Sequence, residues 1–264
     1  MARISRKRGA FIIIEVHRPV DLEKAFALLQ RTTPKTVPLG GGSDLNSPID
    51  EDIAVVDVKA LGLNTLETRG SSTLVIGAAT TLQTMSAFSD LGIALKTAIV
   101  HEADHSLRRT ATIAGSMVSA DGRSPFACAM LAMDAQLTLL PDEEIQSYGD
   151  ILPFRTAILN GRLITSISIP LNLTLQCDYV PSHPNELAVE NVAVARWPSG
   201  RIRVIVGGWG DAPRVALDGP SGEGAIHAVG NAMSHGEDQR ATAKERVKAG
   251  QNLLERLMAE ESDA

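Results

Sequence analysis

Three consecutive glycines, Gly40, Gly41 and Gly42, followed by Ser43 and Asp44, interrupt the apolar run Val37–Leu39. Glycine accepts positive φ and lets another group come close to the backbone. Such a run after a strand can therefore turn several N–H groups toward an anion, with phosphate the natural guest. Taken alone, a glycine run is more often a flexible turn. A second small-residue stretch, Thr112–Ser116 (TIAGS), follows about seventy residues later, and two such loops can hold one extended ligand. The backbone donors of Gly41–Ser43 and Ala114–Ser116, with the hydroxyls of Thr112 or Ser116, suit a pyrophosphate.

His101-Glu102-Ala103-Asp104-His105 matches H-E-x-x-H, the pattern that places two imidazoles on one helix face with a glutamate to polarise a zinc-bound water. That zinc-hydrolase reading of His101, Glu102 and His105 is the weaker one. Arg108 and Arg109 follow at once and disfavour a dication, and Arg108 stands where the extended motif needs glycine. A solvated, helix-terminal histidine pair is the expectation. Cys128 and Cys177 are too few for a disulfide framework or an iron–sulfur cluster, and Cys128 lies in an apolar helix as a small core residue. Neither a G-x-S-x-G elbow nor a G-x-G-x-x-G fingerprint occurs. The sequence thus yields no catalytic residue and no metal ligand, only candidate binding loops.

Periodicity supplies the elements that must position those loops. A strand from Ala10 (FIIIEV) leads to a turn with Asp21 as N-cap and a helix whose apolar face is Leu22, Ala25, Phe26 and Leu29. Strands are predicted at Thr36–Leu39, Ile53–Val58 and Thr73–Gly77. Thr80 and Thr81 can cap a helix through Leu82, Met85 and Phe88, and a longer helix should run from Ile93 to His105. Phe126–Met133 is apolar all round, which marks a helix buried on both sides. Strands at Gln136–Leu140 and Leu163–Ile169 complete this body, closed by Pro170. Beyond a boundary near Leu173, Asn191–Arg196 and Ile202–Gly207 flank Pro198-Ser199-Gly200 as a hairpin. Two helices end the chain, the last from about Gln239 to Ala259 with its stripe of Val247, Gly250, Leu254, Leu257 and Met258 packed on the hairpin.

The 264 residues suffice for two domains with real cores, and 44% hydrophobic with 21% charged residues is ordinary for a soluble globular protein. A formal net charge of −6 argues against a nucleic-acid binder. No apolar run approaches the roughly 20 residues that span a bilayer. Arg3, Arg6, Lys7 and Arg8 before Phe11–Ile14 imitate a signal peptide, but Glu15 ends the apolar run too soon, so a cytoplasmic protein with a basic arm is expected.

Several ordered motifs together carry a resemblance. Arg18-Pro19-Val20-Asp21-Leu22-Glu23-Lys24-Ala25, Gly40-Gly41-Gly42-Ser43-Asp44-Leu45, Ile76-Gly77-Ala78-Ala79-Thr80-Thr81, Leu107–Ser116, Ala120-Asp121, Met130–Ala135 and Ser166–Pro170 follow one another at the expected spacing. In this the chain resembles the FAD-binding medium subunit of molybdenum hydroxylases, the group of xanthine dehydrogenases and carbon monoxide dehydrogenase. The resemblance implies an α+β protein. A two-lobed α/β FAD-binding domain of the PCMH type spans residues 10–172, with lobes of about 10–60 and 61–172. It follows a basic arm of residues 1–9 and precedes a small C-terminal antiparallel sheet with helices at 173–264. It implies FAD held by Gly40, Gly41, Gly42, Ser43, Asp44, Leu45, Thr80, Thr112, Ile113, Ala114, Gly115, Ser116, Asp121 and Ile164. It also implies an iron–sulfur small subunit and a molybdopterin-binding large subunit as partners, with electrons passing on to NAD or another acceptor. The chain departs from the family pattern at Ala114, Ser116, Gly122–Pro125, Val180-Pro181 and Glu245. A structural paralogue with weak or no flavin binding is the alternative those departures raise.

Overall fold

The computed structural model describes residues 13–43, 52–181 and 187–259. The chain begins with β1 (Ile13–His17), α1 (Leu22–Leu29), β2 (Lys35–Leu39) and β3 (Ile53–Asp57), whose three strands form a parallel sheet in the order β1-β3-β2. Asp21 caps α1 as expected, its carboxylate accepting the Lys24 N–H at 2.8 Å. The central strand β3 is buried from Ile53 to Val56, and α1 lays Ala25 and Leu29 on it in a small core with Val58, Leu63, Ala79 and Leu163. Parallel strands covered in this way leave their C-terminal ends as the place for a ligand, and the glycine run leaves β2 at that end.

The second unit holds an antiparallel sheet and most of the short helices. In chain order these are β4 (Leu66–Arg69), β5 (Thr73–Gly77), α2 (Leu82–Ser86), α3 (Ile93–Glu102), α4 (His105–Arg108), α5 (Ile113–Ser119) and α6 (Pro125–Ala132). Then come β6 (Gln136–Leu140), β7 (Glu144–Ser147), α7 (Tyr148–Ile151), α8 (Arg155–Ile158) and β8 (Leu163–Pro170), giving a sheet order β4-β5-β8-β6-β7. All eight residues of α6 are buried. Pro125 opens the helix, where its missing N–H costs nothing, and Ser124 caps it by accepting the Ala127 N–H at 2.9 Å.

The third sheet follows directly: β9 (Thr174–Val180), β10 (Glu190–Arg196), β11 (Ile202–Gly207) and β12 (Arg214–Gly219), antiparallel in the order β12-β11-β10-β9. The expected hairpin is β10–β11, with Gly200 at φ 90° in its turn. One face of this sheet, through Ala193, Ala195 and Ile205, joins the core around α6. The other face, through Val192, Val194 and Val204, packs under α9 (Ala225–Met233) and α10 (Ala243–Ala259). Gly250 brings α10 close against Met233 of α9.

Four local expectations need correction. The helix predicted through His105 stops at Glu102, because Ala103 is extended (φ −155°, ψ 152°) and Asp104 starts α4 by capping the Leu107 N–H. The TIAGS stretch is no loop but the first turn of α5, with Thr112 as its N-cap. Thr81 alone caps α2, while the buried Thr80 hydroxyl donates to the Thr65 carbonyl at 3.0 Å. The last helix begins at Ala243, where Thr242 and Glu245 form a reciprocal capping box: the Glu245 carboxylate accepts the Thr242 N–H at 2.9 Å and the Thr242 hydroxyl accepts the Glu245 N–H at 3.3 Å.

Candidate functional site

Gly41 rests directly on the segment before α5, so that a Cβ at this position would overlap the Thr110 carbonyl oxygen. At Gly40 a Cβ would fall 2.6 Å from the Thr112 hydroxyl, and Gly42 takes φ 71°. The run is therefore no slack turn: two glycines allow it to lie flat on the second unit and the third reverses its course. A cleft of about 410 Å³ opens beside it. Gly40, Gly41, Gly42 and Ser43 line one wall, and Thr112, Ala114, Gly115 and Val118 on one face of α5 line another. Arg155 to Ile164 closes the far side. The volume lies within the range of small-molecule sites.

Of the candidate residues, the structure brings Gly40, Gly41, Gly42, Ser43, Thr112, Ala114, Gly115 and Ile164 together on this cleft. Ile113 points into the core and is fully buried, and Ser116 is not part of the lining. Thr80 lines a separate recess. Asp121 is also outside the lining and is engaged by Arg123, whose Nη2 donates to its carboxylate at 2.6 Å and whose backbone N–H donates at 2.8 Å. Asp44 and Leu45 lie outside the described residues.

The first-turn donors of α5 are already used. The Ile113 N–H bonds to the Thr80 carbonyl at 2.8 Å and that of Ala114 to the Ala78 carbonyl at 3.2 Å. The Gly115 N–H bonds to the Thr112 hydroxyl at 3.2 Å and the Ser116 N–H to the Thr112 carbonyl at 2.8 Å. Ala114 is tolerated in place of glycine because it sits in a helix rather than at positive φ. Backbone donation to an anion thus falls to Gly40–Ser43, and α5 offers chiefly a small-residue face that lets a flat or extended group lie close.

Sequence reading missed the far wall. Arg155, Thr156, Leu159, Asn160 and Arg162 belong to no motif, and only Asn160-Gly161, with Gly161 at φ 70°, carries a turn signal. Arg162 is held by Glu144 at 2.5 Å, and Arg155 donates to the Leu152 and Asp211 carbonyls at 3.0 and 2.9 Å.

The H-E-x-x-H segment lies elsewhere and is split between helices. His101 lies in the last turn of α3 with its ring against Tyr179, centroids 4.2 Å apart, and His105 opens α4, so the i,i+4 face that zinc requires does not form. Among the described residues no group of three or more His, Cys, Asp or Glu is placed to hold a metal ion. Glu102 instead ties α3 to α6, its carboxylate accepting the Ser124 hydroxyl at 2.7 Å and the Phe126 N–H at 3.2 Å. Burial pushes its pKa up to about 7, against the opposing pull of those two donors. A carboxyl raised in the folded state contributes stability below its unfolded pKa that is lost as pH rises through the folded one. Glu102→Gln is therefore expected to flatten the fall in stability between about pH 4.5 and 7, by up to about 3 kcal/mol, in urea melts across that range. A variant profile parallel to wild type would refute the assignment.

A two-lobed α+β protein with a glycine-lined cleft between its first two sheets, seated at the C-terminal ends of parallel strands, belongs to the class that holds an extended phosphate-bearing cofactor. A model of the FAD binding domain in molybdopterin dehydrogenase matches residues 12–172, and the chain belongs to this family. Its cofactor is FAD. No curated protein matches the chain. Among solved structures, a reconstituted CO dehydrogenase from Oligotropha carboxidovorans superposes with a TM-score of 0.77 at 24% identity, covering 95% of this chain and 96% of that one. A Cu,Mo-CO dehydrogenase in a cyanide-inactivated form gives 0.79 at 23%, covering 94% and 96%. Quinoline 2-oxidoreductase from Pseudomonas putida 86 gives 0.77 at 17%, covering 96% and 97%. At these identities the likeness is one of fold, and it extends through the third sheet and its helices.

Proposed function

We propose that the chain is the FAD-carrying electron-transfer subunit of a molybdenum hydroxylase-type oxidoreductase complex. Its partners would be an iron–sulfur small subunit and a molybdopterin-binding large subunit, and NAD or another acceptor would take the electrons on. The observation that carries this reading is the glycine run itself, seated on Thr110 by a contact only glycine permits and opening onto a cleft between two lobes. FAD, when bound, supplies exchange between one-electron and two-electron carriers. This chain's own residues bind and orient it. Gly40–Ser43 present backbone donors to the pyrophosphate, the Gly115 face of α5 allows close approach, and Ile164 with Leu159 shields the apolar end. In this reading residues 10–172 form the flavin domain, residues 173–264 brace it, and the complex works in the cytoplasm.

Two cysteines are too few for an iron–sulfur cluster, so in this reading the electrons reach FAD from a cluster on another protein. No helix among the described residues is long and apolar enough to cross a membrane. Pull-down from the native host, followed by mass spectrometry, should recover a small iron–sulfur protein and a large molybdopterin-binding one. A chain that emerges alone, holds FAD and turns over a small substrate unaided would replace this reading with an independent flavoenzyme.

A further inference from the structure

Next to the contact between Gly41 and Thr110 lies a second recess of about 290 Å³, which shares Thr112 with the cofactor cleft and no other lining residue. Lys59, in the 3-10 turn after β3, and Arg109, at the end of α4, both line it. Neither side chain has an ion-pair or hydrogen-bond partner among the described residues. The rest of the lining is largely hydroxyl and amide, with Asn64, Thr81, Thr84 and Thr110 prominent, and among the described residues it contains no carboxylate. Two acids among the described residues near these cations in sequence are committed elsewhere: Asp57 lies 3.7 Å from Arg18 and accepts the Lys59 backbone N–H, and Asp104 caps α4.

Two unpaired cations around a hydroxyl-lined recess make an anion site, and its volume is more than a bare phosphate fills. We propose that this recess binds a phosphate monoester, separately from the FAD cleft. The guanidinium of Arg109 can fork two phosphate oxygens while the Lys59 ammonium meets a third as a point charge. The hydroxyls of Thr81 and Thr84, now bonded to each other at 2.9 Å, can turn to donate, and the Asn64 amide meets the ester's polar body. The site also has a consequence for the cofactor. Its floor includes Thr110 and Thr112, the residues on which Gly41 and Gly40 rest, so a ligand there steadies the cradle and FAD in turn favours the ligand.

The test is titration calorimetry on the FAD-loaded protein with AMP, inorganic phosphate and uncharged adenosine as probes. Saturable binding of AMP, tighter than that of phosphate and absent for adenosine, is expected. The double variant K59Q/R109Q should weaken AMP by about tenfold or more with flavin content unchanged. Should that variant misfold by circular dichroism, T84V serves in its place, with a smaller loss expected. No saturable AMP binding, an unchanged affinity in the folded variants, or phosphate binding as tightly as AMP would overturn the proposal. So would release of FAD by AMP, which would make the recess part of the cofactor's own site; loss of FAD binding without AMP present would instead count against the flavin reading.

Discussion

Gly41→Val is expected to yield a folded protein that purifies without its yellow colour, its affinity for FAD lowered at least about a hundredfold. A Cβ at this position has nowhere to go, since it would overlap the carbonyl of Thr110, a backbone atom that cannot swing aside as a side-chain end can. Overpacking of this kind typically costs about 1–3 kcal/mol when neighbours can shift, and here the cheaper escape is for the whole run Gly40–Ser43 to lift from the second unit. Lifting it takes away the backbone donors on which the pyrophosphate depends, because those at the start of α5 are already bonded within the protein. Flavin absorbance per mole of protein, with circular dichroism to confirm the fold, gives the answer. A folded variant with stoichiometric FAD would show that the run is a spacer rather than a cradle.

The largest effect on stability is expected at the other end of the molecule. Arg246 is fully buried in α10, with its guanidinium 2.9 Å from Glu190, 2.6 Å from Asp238 and 2.7 Å from the Val189 carbonyl, and stacked 5.6 Å from the Trp209 ring. Burial pushes Glu190 up to about 7, and Arg246 is what opposes that rise. Arg246→Ala leaves an uncompensated carboxylate inside the protein and should cost about 3–5 kcal/mol in urea denaturation at neutral pH. Because Arg246 is what holds Glu190 down to about 7, the orphaned carboxyl keeps its proton to higher pH, so the loss should be largest above neutral pH and shrink as pH falls toward 7. The pair E190L/R246M, which removes both charges, should recover much of it. A loss below about 1 kcal/mol for Arg246→Ala would mean that water reaches the site.

Much of this architecture was legible in the chain, and what escaped did so for a common reason. The helix cap at Asp21, the buried α6, the β10–β11 hairpin and the glycine run after β2 are all written in local pattern. Four strands were not anticipated: β4, β7, β9 and β12. Each is an edge of its antiparallel sheet. Edge strands keep one face and one row of backbone groups toward solvent, so their sequences, such as LETR and EIQS, lack the apolar run that announces a central strand. The site divides in the same way. Gly40–Ser43 and Thr112–Gly115 were visible as small-residue clusters, whereas Arg155–Arg162 reaches the cleft only because the fold returns it there, and nothing in its residue types says so. The resemblance puts Ile113 and Ser116 at the ligand; the segment is helix, which turns Ile113 to the core and leaves Ser116 outside the lining.

The helix α6 binds the last two sheets into one body. It lies in a core that runs from β5 and β8 to Ala193, Ala195 and Ile205 of the third sheet. The Gly122 segment just before it exchanges backbone hydrogen bonds with Gly208 and Gly210 at 2.5 and 2.9 Å. The three-stranded sheet that carries the glycine run has its own small core instead. Thermal opening of the molecule should then be uneven, the core of the large body exchanging its amides last and the small sheet parting from it at lower cost. A cofactor too long to slip into a closed cleft would enter during that partial opening, while the large body stays formed.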